Sequence, residues 1–215
     1  MIKREYILTL SLFIFGCSKP SDKTRFEQLL FEREYDGQTA IDFSKSSDNL
    51  ISNINSLYNI DLCDTIYSVF GKVMTAENRR TQISFDVFEG CYPHLPSLGM
   101  IEIFIKTNDD VRIDLEYCNL DSISFYVNTE LESRLGEKKN VDIQLRFEWG
   151  EVNTELIESV FKQSFAAVKA FANTKSQQWY GQQLDELSEE EFHFFQTCFT
   201  VSPTITNVRP DLPME

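Results

Sequence analysis

The strongest constraint on the fold is a set of five segments in which apolar and polar residues alternate. Such a period of two is typical of β-strands that bury one face and leave the other face in water. Because the links between the segments are short, the pattern predicts an antiparallel meander of about five strands. The apolar positions are Ile83, Phe85 and Val87; Ile101, Ile103 and Ile105; Val111, Ile113, Leu115 and Tyr117; Ile123, Phe125 and Val127; and Val141, Ile143, Leu145, Phe147 and Trp149.

Helices are predicted on both sides of these segments in the chain, and the helix over residues 154–172 would cover the apolar face of the sheet. Residues 154–172 carry an apolar stripe at helical spacing, and residues 44–59 carry a weaker one. Residues 60–75 suit a helix and a strand about equally well. The predicted fold class is therefore α+β, an antiparallel sheet of about five strands with helices packed on one face.

Particular residues indicate where two helices begin and where regular structure ends. Thr24 with Glu27, and Ser188 with Glu191, have the spacing of a capping box, in which each side chain bonds the other residue's amide. Pro203 is expected to end regular structure, and the tail beyond it is expected to be loose.

The N-terminal segment has the order of a secretory signal peptide: a basic start, an apolar run and a small residue. Lys3 and Arg4 precede the apolar run over residues 7–15, and Gly16 with Cys17 follows it. A transmembrane helix needs about 20 apolar residues, and this run is roughly half that length. The segment therefore predicts export rather than a membrane span.

The end of this run, Ile14-Phe15-Gly16-Cys17, resembles the lipobox of bacterial lipoprotein signal peptides. Gly16 and Cys17 match that pattern, Ile14 substitutes for its leucine, and Phe15 is bulkier than usual. The resemblance implies that Cys17 receives acyl chains such as palmitate and becomes the first mature residue. It also implies an envelope location, with the outer membrane favoured because Ser18 follows Cys17. A secreted protein cut nearby is the alternative.

With this resemblance the chain divides into four parts. Residues 1–16 are the lipoprotein signal peptide, and residues 17–24 are the lipidated cysteine and its tether. Residues 25–202 are predicted to form a single α+β domain, and residues 203–215 a flexible tail.

The chain is strongly acidic, with a formal net charge of -14. The phosphates of nucleic acids would repel such a surface, and so would anionic lipid head groups, which argues against nucleic-acid binding. A basic protein would instead be attracted and steered toward it. Charge that serves only solubility is the alternative interpretation.

Cysteines outside the cytoplasm are candidates for disulfide bonds. With Cys17 lipidated, four others remain: Cys63, Cys91, Cys118 and Cys198. Cys91 and Cys118 lie near the ends of predicted strands of one sheet, which makes them the candidate disulfide. Free cysteines that pack as small apolar residues are the alternative.

No arrangement of residues in the sequence is typical of a catalytic, metal or cofactor site. Cys91 and His94 have the residue types of a nucleophile and its base, or of two zinc ligands, but zinc needs three or four such ligands. His193 follows Glu189 to Glu191, which an acidic first helical turn explains without a metal. The sequence therefore predicts no enzymatic activity, no metal and no cofactor. An enzyme that uses Cys91 and His94, or a pair of carboxylates, is the open alternative.

The polar face of the predicted sheet is the candidate binding surface. Charges of both signs on neighbouring strands, with aromatic residues among them, suit recognition of a basic protein. One alternative is a face that is simply solvated, and another is a helix or loop from residues 25–75 that covers Phe104 and Tyr126. The residues assigned to this surface are Phe104, Arg112, Asp114, Glu116, Tyr126, Arg146 and Glu148.

The lipid anchor, the charge and the lack of catalytic residues together predict a membrane-anchored envelope lipoprotein that binds a protein partner. One specific form is an immunity-type inhibitor that neutralises a basic toxin in the periplasm. The alternative is a structural or assembly lipoprotein that binds through apolar surface. The salt dependence of binding distinguishes the two hypotheses, because binding that depends on charge attraction weakens as the ionic strength rises.

Overall fold

Seven strands form one mixed sheet in the computed structural model, within the residues that it describes: 23–30, 40–63, 66–89, 99–107 and 110–207. The strands are β1 (Tyr67–Met74), β2 (Arg80–Val87), β3 (Met100–Thr107), β4 (Asp110–Ile113), β5 (Glu116–Cys118), β6 (Val141–Trp149) and β7 (Phe199–Ile205). The helices are α1 (Arg25–Leu29), α2 (Ser47–Tyr58), α3 (Ile123–Leu135), α4 (Thr154–Tyr180) and α5 (Glu189–Cys198).

The order of strands across the sheet is β1-β2-β7-β6-β3-β4-β5. The pairs β1–β2, β3–β4 and β4–β5 are antiparallel, whereas β2–β7, β7–β6 and β6–β3 are parallel. The predicted α+β class is therefore confirmed, but the antiparallel meander is right only in part. Parallel neighbours need a long crossover, and α4 with α5 supplies the one from β6 to β7.

The helix α4 packs on the apolar face of the sheet and supplies the centre of the core. The ring of Phe161 lies 4.2 Å from that of Phe147 on β6 and 5.5 Å from that of Phe85 on β2. It also stacks on Phe165, one helical turn further on, at 6.0 Å. Aromatic pairs at such distances stabilise the fold beyond their burial. The apolar side chains of the first, second and fifth alternating segments are all buried, as predicted.

The predicted helices are found, and the ambiguous segment is resolved as a strand. Residues 44–59 contain α2, residues 154–172 lie within α4, and residues 60–75 contain β1. Both capping boxes are formed, with Thr24 at the start of α1 and Ser188 at the start of α5. No helix in the described ranges is both long and apolar enough to cross a membrane.

The fourth alternating segment is helical rather than extended, so its prediction as a strand is wrong. It begins α3, in which Ile123, Val127, Leu131 and Leu135 are all buried. A spacing of four places these side chains on one side of a helix, and α3 packs against α4. Phe125, which the alternation assigned to the core, is 68% exposed. The repeat of four therefore outweighs the shorter alternation.

The strand β7 crosses the predicted boundary at residue 202, so the expected loose tail begins too early. β7 lies between β2 and β6, and its Pro203 is paired with Leu145. Proline has no amide hydrogen to donate, but the hydroxyl of Thr204 donates to the carbonyl of Leu145 at 3.2 Å. That carbonyl therefore has a donor although its paired residue offers none.

A buried carboxylate joins α1 to the antiparallel pair β1–β2. Glu27 is 1% exposed and accepts hydrogen bonds from the hydroxyls of Thr75, at 2.9 Å, and Thr81. The guanidinium of Arg79 donates to it at 3.1 Å, and the amide of Thr24 at 3.0 Å. Burial alone would raise the pKa of Glu27, but these donors outweigh burial and lower the pKa to about 2. The position of α1 thus depends on an ionised side chain.

Candidate interaction surface

Several of the predicted surface residues lie on one face of the sheet. Phe104 on β3 is paired with Arg112 on β4 and with Glu148 on β6. Arg146, two residues before Glu148, is paired with Glu102 on β3. Since directly paired residues share a face, and residues two apart on a strand do as well, these side chains form a polar face, as the alternation predicted.

The centre of this polar face is covered, which corrects the predicted exposure of Arg146 and Glu148. These two residues are 1% and 2% exposed. Arg146 donates to Glu102 at 2.9 Å and to Thr206 at 3.1 Å, and its guanidinium lies 5.0 Å from the centre of the Phe88 ring. Glu148 lies 3.5 Å from the Nε of Arg146. Buried charges require such partners, so this pair organises the interior of the domain.

The polar face continues as one row of polar residues across five strands. Ser68, Asp86, Thr204, Arg146 and Glu102 occupy paired positions on β1, β2, β7, β6 and β3. Ser68 donates to Asp86 at 2.7 Å, and Ser68 and Thr204 are both buried. Alternation in a sequence shows which side chains share a face, but it does not distinguish a solvated polar face from a covered one. The alternation therefore gave no indication that Ser68, Thr204 and Arg146 are buried.

Tyr126 does not belong to the sheet surface. It lies on α3, half-buried, with its ring 5.7 Å from that of Phe125 in an edge-to-face arrangement. Its assignment to the polar face is wrong because the segment that carries it is helical.

Three members of the predicted set, the half-buried Arg112 and Asp114 and the exposed Glu116, lie on the edge hairpin, Asp110–Cys118, which comprises β4 and β5 at one edge of the sheet. Asp114 and Leu115 form its two-residue turn, and their φ angles are 49° and 76°. Two consecutive positive φ angles are typical of a type I′ turn, which splits the third alternating segment into two strands. Leu115 and Tyr117 are 63% and 64% exposed, and Glu116 between them is exposed as well.

Asp114 fastens the edge hairpin to the rest of the domain. One of its carboxylate oxygens accepts the amide of Glu102 at 3.0 Å, and the other accepts the guanidinium of Arg134 at 2.6 Å. Burial raises the pKa of Asp114, and the nearby carboxylates of Glu130 and Glu102 raise it further. The backbone amide of Glu102 and the guanidinium of Arg134 oppose this rise but do not cancel it. The turn is therefore bonded to both β3 and α3.

Arg112 contacts the exposed strand β5 and holds one of its side chains in place. Its guanidinium bonds both carboxylate oxygens of Asp110, at 2.8 and 3.0 Å, and lies 4.2 Å from the centre of the Tyr117 ring. The hydrogen bond from Arg112 holds the pKa of Asp110 below its usual range. A planar guanidinium can bind a carboxylate in its plane while it stacks on an aromatic ring. The ring of Tyr117 is therefore held in place although it is exposed.

The predicted disulfide between Cys91 and Cys118 is wrong, because Cys118 is a free thiol. Cys118 ends β5, at one edge of the sheet. Burial raises the pKa of the Cys118 thiol. Cys198 is also free, and Cys63 is disulfide-bonded.

One group of side chains in the described ranges has the spacing of metal ligands, namely Asp61, Cys63 and Glu89, whose ligand atoms lie within 4.8 Å of one another. The sulfur of Cys63 is already disulfide-bonded, whereas metal binding needs a thiolate. Asp61 accepts the amide of Cys63 at 2.9 Å, and Glu89 accepts the side-chain amide of Asn55 at 3.2 Å. Hydrogen bonds to neighbouring protein groups therefore account for the positions of Asp61 and Glu89.

Three residues that the sequence singled out, Cys17, Cys91 and His94, lie outside the described residues. His193 lies exposed on α5. Among the residues assigned to the candidate surface, Arg112, Asp114 and Glu116 lie on the edge hairpin. Leu115 and Tyr117 complete that site, although the alternation assigned them to the core.

Comparisons with known proteins do not assign the chain to a family. A scan against protein-family models, a search of curated proteins and a search of solved structures each gave no match. The functional inference therefore depends on the residues of this chain, above all on the edge hairpin.

Proposed function

We propose that this chain is an envelope lipoprotein, anchored through Cys17, whose domain binds a protein partner through the edge hairpin. The observation that carries the binding proposal is Leu115, an apolar residue that is 63% exposed and has a left-handed backbone. The left-handed conformation costs a residue such as leucine about 1–2 kcal/mol, which glycine and asparagine largely avoid. An exposed leucine side chain returns little of that free energy to folding.

Backbone strain that coincides with exposure is typical of residues that act in recognition. Selection for folding alone favours glycine or asparagine in a turn of this type. Next to Leu115, the ring of Tyr117 is held by Arg112, and aromatic anchors dominate many protein interfaces. Because Asp114 fixes the turn, a partner would have to order few groups on binding. These features favour a protein contact at the edge hairpin.

The partner that suits this surface is basic. The net charge is -14, and Glu116 lies exposed between Leu115 and Tyr117. An apolar pocket bordered by Lys or Arg residues would complement both features, as in a basic toxin neutralised by an immunity-type inhibitor. An envelope location is supported by the signal-peptide pattern that ends at Cys17 and by the disulfide of Cys63, since such bonds persist in oxidising compartments.

The substitution Leu115→Asn tests the binding surface, because asparagine tolerates the left-handed backbone but removes the apolar side chain. We expect the variant to be as stable as the wild type, or up to about 1 kcal/mol more stable, in urea unfolding. We expect its capture of the partner from an envelope extract at low salt to weaken by about tenfold, the loss typical of an interface anchor.

The matched control is Leu57→Asn, since Leu57 is 72% exposed but lies on α2. Capture that depends on Leu115 and not on Leu57, and that weakens as salt rises, would support the proposal. Capture that is unchanged in Leu115→Asn, or equally reduced in both variants, would contradict it. Capture that resists salt would favour the alternative of a structural or assembly lipoprotein that binds through apolar surface.

Mass spectrometry of the native protein tests the envelope location independently of the partner. We expect an acylated Cys17 as the first residue. We expect Cys118 and Cys198 to react with an alkylating reagent in denaturant without reduction, and Cys63 to react only after reduction. An intact Met1, or a Cys17 with an unmodified thiol, would show that the proposed location is wrong.

A further inference from the structure

A cavity of about 500 Å³ is lined by residues from the C-terminal ends of α4 and α5. It does not involve the edge hairpin. Its wall includes the aromatic side chains of Trp179, Tyr180 and Phe194. Sites for small molecules are typically of this size, largely apolar, and supplied with a few polar groups. The cavity therefore has the dimensions and the lining of a ligand site.

Two of the aromatic rings are fixed to the core, and the third is not. The rings of Trp179 and Tyr180 lie 5.2 and 6.4 Å from that of Phe195. Phe195 is buried and stacks on Phe199 at 5.1 Å, so it holds both rings in place. Phe194, in contrast, is 60% exposed and contributes little to the core. The cavity thus combines a rigid aromatic wall with an exposed aromatic side chain.

The two helix ends that border this cavity carry partial negative charge. Tyr180 is the last residue of α4 and Cys198 the last residue of α5, so both helices present the negative ends of their dipoles there. Neither helix has a basic residue in its last turn. Glu137 adds a carboxylate to the wall, and Lys139 is an exposed charge of opposite sign. Burial raises the pKa of Tyr180, and the nearby Cys198 and Glu191 add to that rise.

We propose that this cavity binds a small quaternary ammonium compound. Such a cation carries its charge within a shell of methyl groups, so an apolar wall accepts it readily and the negative faces of aromatic rings attract it. The two helix ends attract the same positive charge. A neutral molecule of the same shape benefits only from the apolar wall, and an anion is repelled. The proposal does not depend on the proposed anchor or protein partner.

Choline and its neutral isostere, in which a carbon atom replaces the ammonium nitrogen, test this proposal on the purified full chain. Trp149 is buried in the core, so a change of tryptophan fluorescence on binding reports Trp179. We expect choline to bind saturably and about tenfold more tightly than the isostere, because only choline is attracted by charge and by the ring faces. We expect Lys139→Gln to raise the affinity for choline about twofold, since it removes an opposing charge.

A pair of matched variants separates the cavity from general surface binding. Phe194 and Phe125 are both exposed, at 60% and 68%, so truncation of either leaves the core intact. We expect Phe194→Ala to weaken choline binding about threefold, as loss of one cation–π partner does, and Phe125→Ala to leave it unchanged. Equal affinities for choline and the isostere would overturn the proposal in favour of a plain apolar cavity. Absence of saturable binding, or equal effects of the two variants, would also overturn it.

Discussion

A single carboxylate, Glu27, joins the first helix to the strands β1 and β2. Its oxygens receive hydrogen bonds from Thr75, Thr81 and Arg79, all within or next to β1–β2, while its own helix starts with a capping box. A buried charge with this many donors stabilises the fold only while it is ionised. The stability of the protein in acid should therefore depend on this residue.

Replacement of Glu27 by Gln should lower the free energy of unfolding by about 2–3 kcal/mol at neutral pH, because the buried donors lose their anionic acceptor. The pKa of Glu27 is about 2 in the folded protein instead of 4.5, so its contribution is complete above pH 4.5 and disappears as the pH falls toward 2. Urea unfolding of the wild type between these pH values should show this loss, and the variant should lose less.

The control is Glu189→Gln, because Glu189 also pairs with an arginine, Arg25, but its side chain is 93% exposed. An exposed pair contributes little, so we expect a change below about 0.5 kcal/mol at every pH. If Glu27→Gln had the same pH dependence as the wild type, the role assigned to this carboxylate would be wrong.

At the scale of elements, sequence signals were reliable where the deciding contacts are local. The capping boxes at Thr24 and Ser188 need only residues three apart, and both are formed. The alternation over residues 123–127 is equally local, but α3 gains its stability from packing against α4, which no short window contains. β7 was not predicted because a proline such as Pro203 disfavours a central strand. In the structure, the hydroxyl of the next residue, Thr204, donates a hydrogen bond to the carbonyl of Leu145, which the proline cannot do.

The candidate site, like the helices and strands, could be predicted only where a local sequence pattern decides the structure. Alternation correctly placed Phe104, Arg112 and Glu148 on one face, yet it could not show that Glu148 is covered. Alternation also runs through the turn, so it assigned Leu115 to the core, and no glycine or asparagine marked the left-handed position. The cavity beside Trp179 had no sequence signal, because it depends on the way helix ends meet in space.

At the scale of the whole molecule, the sheet has a seam between β2 and β7. These strands share only the pairs Asp86 with Thr204 and Val87 with Ile205, whereas β6 and β7 are paired over residues 141–147. The strands β1 and β2 are continuously paired with each other. The sheet thus consists of a two-stranded block and a five-stranded block that meet over a short ladder.

Hydrogen exchange should resolve these two blocks. Because few backbone bonds cross the seam, we expect amides of β1 and β2 to exchange through a partial opening, before amides of β6, which exchange only on global unfolding. Glu27→Gln should accelerate exchange in β1 and β2 more than in β6, since Glu27 is bonded to the two-stranded block. Uniform protection across the sheet, or acceleration shared equally by all strands, would argue against two blocks.

The attachment of α1 also determines the path of mechanical load through the domain. In the proposed lipoprotein, tension between the membrane and the domain enters through α1, and the hydrogen bonds of Glu27 pass it to β1 and β2. The edge hairpin lies at the opposite margin of the sheet, beyond the seam. Because Leu30, directly after α1, is also bridged to Val201 on β7, a pull on the anchor would be shared by both blocks, and a partner held at the edge hairpin would be separated from the loaded strands by β6 and β3.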